Sequence, residues 1–251
     1  MKTLSIIIPC FNSAKTIIST IDSLNEQSFR CFEVIFVDGD SSDDTLLLIK
    51  NNCNFSYSVI SEPDHGIYDA MNKGVKKAAG DWIYIMGSDD RLFDKDALRE
   101  ISPLFSSSDF IYSSLVTNFY KNRKLIKFNL PEKVSKKFNN APPFFHQAVF
   151  IKKDIISFLG GFNMEYKVHS DFDLIIRAFK IAKKITRSDV ILCHYNALGF
   201  SGIKKDTFIE NNKEFKKILK KNNALNLSWR LRLLKKYYYF LRIILKNFGK
   251  K

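Results

Sequence analysis

The chain has 251 residues, of which 45% are hydrophobic and 26% charged, and these proportions exclude a disordered, collagen-like or repeat protein. The length suits one α/β domain of ordinary size, or one domain with an appendage. Most of the formal net charge of +14 lies in the C-terminal tail. Residues 204–251 carry 15 basic and 3 acidic side chains, whereas residues 1–203 carry 25 basic and 23 acidic side chains.

Strand-like and helix-like segments alternate along the first ninety residues. Four buried apolar runs predict strands at Leu4–Pro9, Phe32–Val37, Tyr57–Ile60 and Trp82–Met86. Apolar residues at helical spacing predict helices between them, at Ala14–Gln27, Thr45–Asn51 and Ile67–Ala79. This order predicts a mostly parallel, Rossmann-like α/β sheet with helices on both faces and a ligand crevice at the carboxyl ends of its strands.

The second half of the chain, residues 91–203, is less regular. We predict helices at Lys95–Phe105 and Asp171–Ala182, and strands at Phe110–Val116, Leu125–Phe128 and Gln147–Ile151, with a proline break at residues 141–143.

The cysteines lie far apart, without the C-x-x-C spacing of a zinc cage or a redox pair. We expect all four to be small buried apolar residues in a reducing compartment: Cys10, Cys31, Cys53 and Cys193. No secretory signal and no uncharged apolar run of about 18 residues is present, so we expect an enzyme that works from the cytoplasmic side.

Polar residues follow each of the four predicted strands of the first half. They are Cys10–Asn12, Asp38–Asp40, Glu62–Asp64 and Gly87–Asp90. Such an acidic crevice would repel an anionic nucleotide unless a divalent cation lay between the carboxylates and the nucleotide. We therefore predict that Asp89 and Asp90 are ligands of an Mg²⁺ or Mn²⁺ ion that bridges to a diphosphate. The alternative is that the two aspartates cap the helix that begins near Asp94.

Six blocks in this order and spacing resemble the family 2 glycosyltransferases, which have the A-type, nucleotide-diphospho-sugar transferase fold. The resemblance covers roughly residues 3–203. The blocks are Ser5–Ile17, Val37–Thr45, Ser61–Gly74, Gly80–Asp90, His146–Phe150 and His169–Ala178. The resemblance implies a catalytic domain at residues 1–203, with a nucleotide-binding half (residues 1–90) and an acceptor-side half (residues 91–203). The implied reaction is an inverting, metal-dependent transfer of a hexose or N-acetylhexosamine from a UDP-sugar to a glycan acceptor, in bacterial surface polysaccharide biosynthesis.

The resemblance also implies contacts with the donor. Pro9 and Asn12 would lie against the nucleotide, and Asp38 would accept a hydrogen bond from the N3–H of uracil. Lys73 would pair with a phosphate, or is a solvated lysine on a helix. The other implied nucleotide-sugar contacts are Asp64, Asp69, Ser88 and Asp89.

The metal-binding D-x-D region of the family corresponds to Gly87–Asp89, with Gly87 in place of its first aspartate. Asp89 is then the primary implied ligand, beside Asp90. His194 is a further candidate ligand, or else a packed loop residue.

The implied catalytic base is Asp171, which stands where the family has the aspartate of a Glu-Asp motif. It would deprotonate the acceptor hydroxyl in a single, inverting displacement. Asp173 would lie on another side of the same helix, where its charge favours the helix N-terminus. His146 and Gln147 are expected to shape the acceptor side.

The tail, residues 204–251, is predicted to be helical and amphipathic. On a helix over Trp229–Phe248, most basic residues lie on one side and most apolar residues on the other. We therefore expect residues 228–248 to bind an anionic membrane surface, which places the protein peripherally on the inner face of the cytoplasmic membrane. The resemblance implies a nearby acceptor linked to undecaprenyl diphosphate, because similar family members use such acceptors. The alternative is that this helix packs on the protein's own core or on a partner.

Two other functions fit the sequence less well. A sugar nucleotidyltransferase needs a glycine-rich phosphate loop after its first strand, and Pro9–Asn12 contains no glycine. A nucleic-acid-binding protein would carry basic residues on its folded face, whereas here they lie in the tail and the crevice is acidic. We expect no nucleic-acid partner.

Overall fold

The computed structural model describes residues 3–117, 126–127, 145–196 and 208–222. In these ranges nine strands form one sheet, namely β1 (Leu4–Cys10), β2 (Phe32–Asp38), β3 (Tyr57–Ser61), β4 (Trp82–Ile85), β5 (Arg91–Leu92), β6 (Phe110–Thr117), β7 (Ile126–Lys127), β8 (Val149–Lys152) and β9 (Ile185–Tyr195). Seven α-helices accompany them, namely α1 (Ile17–Asn25), α2 (Thr45–Asn52), α3 (Ile67–Lys77), α4 (Ala97–Ile101), α5 (Lys153–Phe158), α6 (Ser170–Ile181) and α7 (Phe208–Lys221). Two 3-10 turns span Ser102–Ser106 and His146–Ala148.

The sheet has the strand order β3-β2-β1-β4-β8-β6-β9-β5, with β7 beside β6. The first four strands are parallel, as are β6 and β9, whereas β8, β5 and β7 pair antiparallel with their neighbours. The α/β prediction is therefore confirmed. The antiparallel strands are confined to the second half, where the sequence pattern is least regular.

Strands β1, β2 and β4 are buried along their whole length, because helices cover both faces of the sheet. One face packs on α3 and α6, and the other on α1 and α4. Gly74 of α3 allows the closest of these approaches, since a Cβ atom there would lie 2.4 Å from Cγ2 of Ile7 in β1. The outer strand β3 instead alternates between exposed and half-buried residues.

The antiparallel pairing of β8 with β4 places the turn that precedes β8. Because Tyr84 lies opposite Phe150, the residues before Val149 lie beyond the carboxyl end of β4. The Gln147 carbonyl in that turn accepts hydrogen bonds from the Tyr84 hydroxyl and the Cys193 thiol, both at 3.0 Å. The turn is therefore held from β4 and from β9.

Helix α7 packs on the domain. Its Phe215 ring stacks on Phe172 of α6, with 4.8 Å between ring centroids, and its Ile218 and Leu219 are buried. This part of the predicted tail is therefore covered by the α/β domain, whereas the segment predicted to bind a membrane, residues 228–248, lies outside the described residues.

Glu214 of α7 fixes the loop that leads into α6. Its carboxylate accepts hydrogen bonds from the backbone N–H groups of Lys167, Val168 and His169, at 2.8, 3.0 and 2.7 Å. The first turn of α6 is thus set by a residue about 45 positions further along the chain.

Some expectations need correction. Cys10 and Cys193 are buried as expected, Cys53 is half-buried, and Cys31 is exposed because it precedes β2 at the surface. The proline break at 141–143 lies outside the described residues. Within the described part of the chain, no helix combines the length and the apolar character needed to cross a membrane.

We expect Glu214→Ala to lower the free energy of unfolding by about 1–3 kcal/mol, because three backbone N–H groups lose a charged acceptor. Urea unfolding followed by circular dichroism measures this. Glu165→Ala is the matched control: Glu165 is exposed and its ion pair with Lys217 spans 3.6 Å, so its removal should change stability by less than about 0.5 kcal/mol. Equal effects of the two substitutions would contradict the role of Glu214.

Candidate active site

The parallel strands of the first half end at one edge of the sheet. Cys10 lies opposite Asp38, and Asp38 opposite Ser61, so the loops after β1, β2 and β3 begin side by side. Strand β4 continues this edge beside β1. The predicted crevice therefore lies where these four loops meet.

Asn12 joins the first two of these loops. It has a left-handed backbone, with φ of 48°, and its side-chain carbonyl accepts a hydrogen bond from the Ser42 N–H at 2.9 Å. Its own N–H donates to the Ser41 hydroxyl at 2.8 Å. Pro9, which precedes this loop, is buried within β1 opposite Val37. Both residues thus shape the edge, and Asn12 is exposed there.

Asp38 does not fit the role of a uracil acceptor. Its side chain is fully buried, and its two carboxylate oxygens accept hydrogen bonds from the Ser41 hydroxyl and N–H (2.5 and 3.0 Å) and from the Ser61 hydroxyl (2.8 Å). The Cys10 thiol is a fourth donor, at 3.9 Å, so a carboxylate with about four acceptor sites has none left to offer a base. Asp38 instead holds the loops after β2 and β3 together.

Asp64 presents its carboxylate beside the loop that follows β2. Its Oδ1 accepts a hydrogen bond from the Gly66 N–H at 2.8 Å, and its Oδ2 lies over Gly39. A Cβ atom at Gly39 would be only 2.6 Å from this oxygen and 3.5 Å from the ring of Phe11. Phe11 itself is 62% exposed. We call Phe11, Gly39 and Asp64 the base platform; sequence reasoning missed the first two, although both lie within the quoted blocks.

Lys73 and Asp69 are paired with each other and with the loop after β3. The Lys73 ammonium lies 2.8 Å from Glu62 and 3.2 Å from Asp69, and it donates a hydrogen bond to the Pro63 carbonyl. Asp69 also accepts from the His65 N–H. Burial opposes the charge on Asp69, but these donors outweigh it and lower its pKa. Both residues therefore brace this loop, and Lys73 would have to leave these partners to grip a phosphate.

The turn after β4 closes tightly around Gly87. A Cβ atom at this position would lie 2.8 Å from Asp90 Oδ2 and 2.9 Å from Asp89 Oδ1. A side chain at this position, where the resemblance implies the first aspartate of the D-x-D region, would displace the carboxylates of Asp89 and Asp90. The Ser88 hydroxyl lies 2.9 Å from the Ser13 hydroxyl and ties this turn to the loop after β1.

Asp90 is a structural residue of this turn. Its buried carboxylate accepts hydrogen bonds from the Gly87 N–H at 3.2 Å and the Asn196 N–H at 2.8 Å. Burial, with the nearby charge of Asp89, raises its pKa to about 6. Because this carboxylate is buried inside the turn, it does not face the crevice as the predicted metal ligand would.

His194 is a packed residue of strand β9 rather than of a loop. Its Nε2 lies 3.4 Å from the Arg91 guanidinium, and its ring stacks on Phe93 at 5.1 Å. Burial and the Arg91 charge lower its pKa. In the ranges that the structure describes, no three His, Cys, Asp or Glu side chains are grouped so as to hold a metal ion.

Asp89 does fit a cation shared with a substrate. It is half-buried, its Oδ2 accepts a hydrogen bond from the Asn196 side chain at 3.1 Å, and burial raises its pKa. A carboxylate in such surroundings gains from a nearby cation. Since Mg²⁺ commonly takes one or two carboxylates together with phosphate and water oxygens, Asp89 suits a phosphate-bridged ion better than an all-protein cage.

A second carboxylate, Asp171, lies at the start of α6. Its Oδ2 is 2.5 Å from Nδ1 of His146, and its Oδ1 accepts hydrogen bonds from the Tyr68 hydroxyl (3.1 Å) and the Phe172 N–H (2.8 Å). Burial alone would raise its pKa, but His146, together with His169 and the Phe172 N–H, outweighs burial and lowers it. We call Asp171, His146 and Tyr68 the acceptor-side cluster. Sequence reasoning missed Tyr68, which comes from α3 and faces a residue 103 positions away.

Asp173 has a structural role, in line with the prediction that its charge favours the N-terminus of this helix. It is buried, pairs with Arg177 at 2.7 Å and accepts a hydrogen bond from the Asn222 side chain at 3.0 Å. Arg177 in turn donates to the Leu159 and Gly161 carbonyls. These contacts leave Asp171 as the acidic residue of this turn that faces the crevice side.

The sequence matches the family model described as "Glycosyl transferase family 2" over residues 5–172. It is 31% identical over 230 residues to a "PGL/p-HBAD biosynthesis glycosyltransferase" of Mycobacterium bovis, which covers 89% of this chain and 86% of the relative. It is also 31% identical over 209 residues to the "Amylovoran biosynthesis glycosyltransferase AmsB" of Erwinia amylovora, covering 76% of this chain and 69% of the relative.

Solved structures share the fold. S. aureus TarS 1-349 in complex with UDP-GlcNAc has a TM-score of 0.64 at 23% identity and covers 78% of this chain and 58% of its own. The mannosyltransferase PcManGT from Pyrobaculum calidifontis, in complex with GDP-Man and Mn²⁺, has a TM-score of 0.67 at 18% identity and covers 89% of this chain and 64% of its own. The chain thus spans less than two thirds of either solved chain, and the likeness confirms the A-type fold.

We expect the two aspartates of the turn after β4 to differ in their effect on the free energy of unfolding. Asp90→Ala should lower the free energy of unfolding by about 1–3 kcal/mol, because two backbone N–H groups in a buried turn lose their acceptor. Asp89→Ala should leave it within about 0.5 kcal/mol, because the one hydrogen-bond donor to its carboxylate among the described residues is a side-chain amide that water can satisfy. Chemical denaturation of the two variants beside the parent measures both values. The reverse order of effects would overturn this assignment.

Proposed function

The chain belongs to the family 2 glycosyltransferases, and we propose that it moves a hexose or N-acetylhexosamine from a UDP-sugar to a glycan acceptor with inversion. The observation that carries this proposal is the shared location of three groups at one sheet edge. They are the base platform, the Asp89 carboxylate and the acceptor-side cluster. The charges of both Asp89 and Asp171 act on His146, which supports one continuous site.

The base platform supports uracil as the donor base. The exposed Phe11 ring offers a face on which a base can stack. Because Asp64 Oδ1 is occupied by Gly66, Oδ2 is the oxygen left for a ligand. One acceptor matches the single N3–H donor of uracil, whereas guanine would present two adjacent donors to it.

We propose a divalent ion, Mn²⁺ or Mg²⁺, that Asp89 holds together with the diphosphate of the donor. Such an ion, when bound, neutralises the diphosphate and stabilises the charge that develops on the leaving group. The Asn196 side chain orients Asp89 for this contact.

The transfer itself is a single displacement at the anomeric carbon. The acceptor oxygen forms a bond to this carbon while the bond to the diphosphate oxygen breaks, and UDP leaves. The acceptor-side cluster takes up the hydroxyl proton, and Asp171 is the carboxylate on which this step depends. Glu214 and Tyr68 fix the position of Asp171 before the substrate arrives.

We further propose that the acceptor is lipid-linked, in the assembly of a bacterial surface polysaccharide. The relative AmsB is named for amylovoran biosynthesis, which supports a polysaccharide product. Binding of residues 228–248 to the anionic inner face of the cytoplasmic membrane would bring the site to an acceptor linked to undecaprenyl diphosphate.

The donor proposal is tested by release of nucleoside diphosphate from a panel of UDP-sugars and GDP-Man, with Mn²⁺ or with chelator. We expect turnover with a UDP-sugar, dependent on the cation, and loss of most activity in Asp89→Ala. Asp171→Asn should lower kcat by about two to four powers of ten with little change in donor affinity.

Each alternative outcome of this assay has its own meaning. Turnover with GDP-Man alone would contradict the assignment of uracil to the base platform. Full activity of Asp89→Ala in chelator would contradict the role of the cation. An equal loss of donor binding in Asp171→Asn would make Asp171 a nucleotide-site residue.

The membrane proposal is tested by truncation after residue 225, which keeps α7 and its packing intact. We expect the full chain to float with anionic liposomes at low salt and the shortened chain to stay behind, because each lysine or arginine near the surface adds about 1 kcal/mol of binding. Flotation of the shortened chain, or its absence for the intact chain, would show that residues 228–248 are not the anchor.

A further inference from the structure

His146 lies in a turn that hydrogen bonds and strand pairing hold in place. It begins the 3-10 turn His146–Ala148, whose Gln147 carbonyl is bonded to Tyr84 of β4 and Cys193 of β9. The turn ends in β8, which is paired in the middle of the sheet. A side chain on such a support keeps its direction without a bound substrate.

The contact with Asp171 determines which ring nitrogen of His146 carries a proton. An ionised carboxylate can only accept a hydrogen bond, so Nδ1, at 2.5 Å from Asp171 Oδ2, must be the donor. In the neutral imidazole the lone pair is then on Nε2. Among the residues that the structure describes, Nε2 has no hydrogen-bond partner, and the His146 side chain is 24% exposed.

Asp171, by contrast, is largely occupied. Its Oδ1 accepts from Tyr68 and Phe172, and its Oδ2 accepts from His146. Burial raises the pKa of Asp171, but His146, His169 and the Phe172 N–H together outweigh burial and lower it, so the carboxylate stays ionised. The carboxylate is better suited to orienting a base than to acting as one.

The charges around His146 favour proton uptake. Burial opposes its charge, but the carboxylates of Asp171, Asp90 and Asp89 outweigh burial and raise the pKa of the imidazole above its usual 6.5. The other titratable groups here face Asp171 rather than His146: the Tyr68 hydroxyl and the His169 ring. His146 thus lies between the acceptor-side carboxylate and the turn that carries Asp89.

We propose that Nε2 of His146 is the base that takes the acceptor proton, and that Asp171 acts through His146 by orienting it. This inference rests on the proposed glycosyl transfer. The acceptor O–H bond breaks and its proton moves to Nε2. The oxygen's electron pair forms the bond to the anomeric carbon, and the carbon–diphosphate bond breaks, leaving its electrons on UDP. Asp171 stays ionised and stabilises the imidazolium that forms.

The kinetic test uses His146→Asn, whose amide can take the place of Nδ1 and still donate to Asp171 but has no lone pair at the Nε2 position. Turnover is followed as UDP release from the UDP-sugar that the donor panel identifies. The parent kcat should rise as the pH passes through the His146 pKa, above 6.5, because the neutral imidazole is the active form. His146→Asn should lose about 10²-fold to 10⁴-fold in kcat, together with this pH-dependent rise, while donor affinity changes little.

If His146→Asn keeps kcat within about threefold and the same pH profile, Asp171 takes the proton directly and the inference is wrong. If the parent releases no UDP from any donor, the proposed function itself fails. These two failures are therefore distinguishable.

A second measurement does not depend on turnover. The ¹⁵N resonances of the His146 ring, assigned by their loss in His146→Asn, report its tautomer and its pKa in the unliganded protein. We expect Nδ1–H with an unprotonated Nε2 in the neutral form, and a lower pKa in Asp171→Asn than in the parent. A proton on Nε2 in the neutral form would overturn the proposal, since no lone pair would then face the acceptor.

Discussion

Strand β8 runs antiparallel to β4, with Tyr84 opposite Phe150, and this pairing joins the two halves of the sheet. Antiparallel direction brings the beginning of β8 to the carboxyl end of β4. The turn with His146 therefore arrives where the turn with Asp89 leaves the sheet. With β8 in the opposite direction, His146 would lie at the far edge and the acceptor-side cluster would not assemble beside the donor groups.

The acidic residues at this edge divide into two groups with different physical tasks. Asp38, Asp90 and Glu214 accept several hydrogen bonds from loop hydroxyls or N–H groups and hold those loops in place. Asp64 and Asp89 each have one carboxylate oxygen beside a glycine, and the other oxygen accepts one hydrogen bond from the described residues. Carboxylates that accept two or more hydrogen bonds from loops stabilise the site's shape, and those with a single donor remain able to bind a ligand.

Helix α7 connects this site to the basic tail. Glu214 holds the loop before α6, and the buried Ile218 and Leu219 lie one turn further on. The chain then reaches the segment proposed to bind a membrane. The position of the acceptor-side cluster therefore depends on residues that belong, by composition, to the tail.

The sequence by itself determined the alternation of β1–α1–β2–α2–β3–α3–β4, because buried parallel strands and amphipathic helices leave local periodic patterns. It also indicated that polar groups such as Asp64, Asp89 and Asp171 belong to one site. It could not show that Asp38 and Asp90 are buried and hydrogen-bonded, since their partners Ser61 and Asn196 come from distant parts of the chain. The tertiary structure alone decided that Tyr68 and His146 meet at Asp171, because hydrogen bonds across 103 and 25 positions depend on strand direction and packing, which leave no periodic trace in the chain.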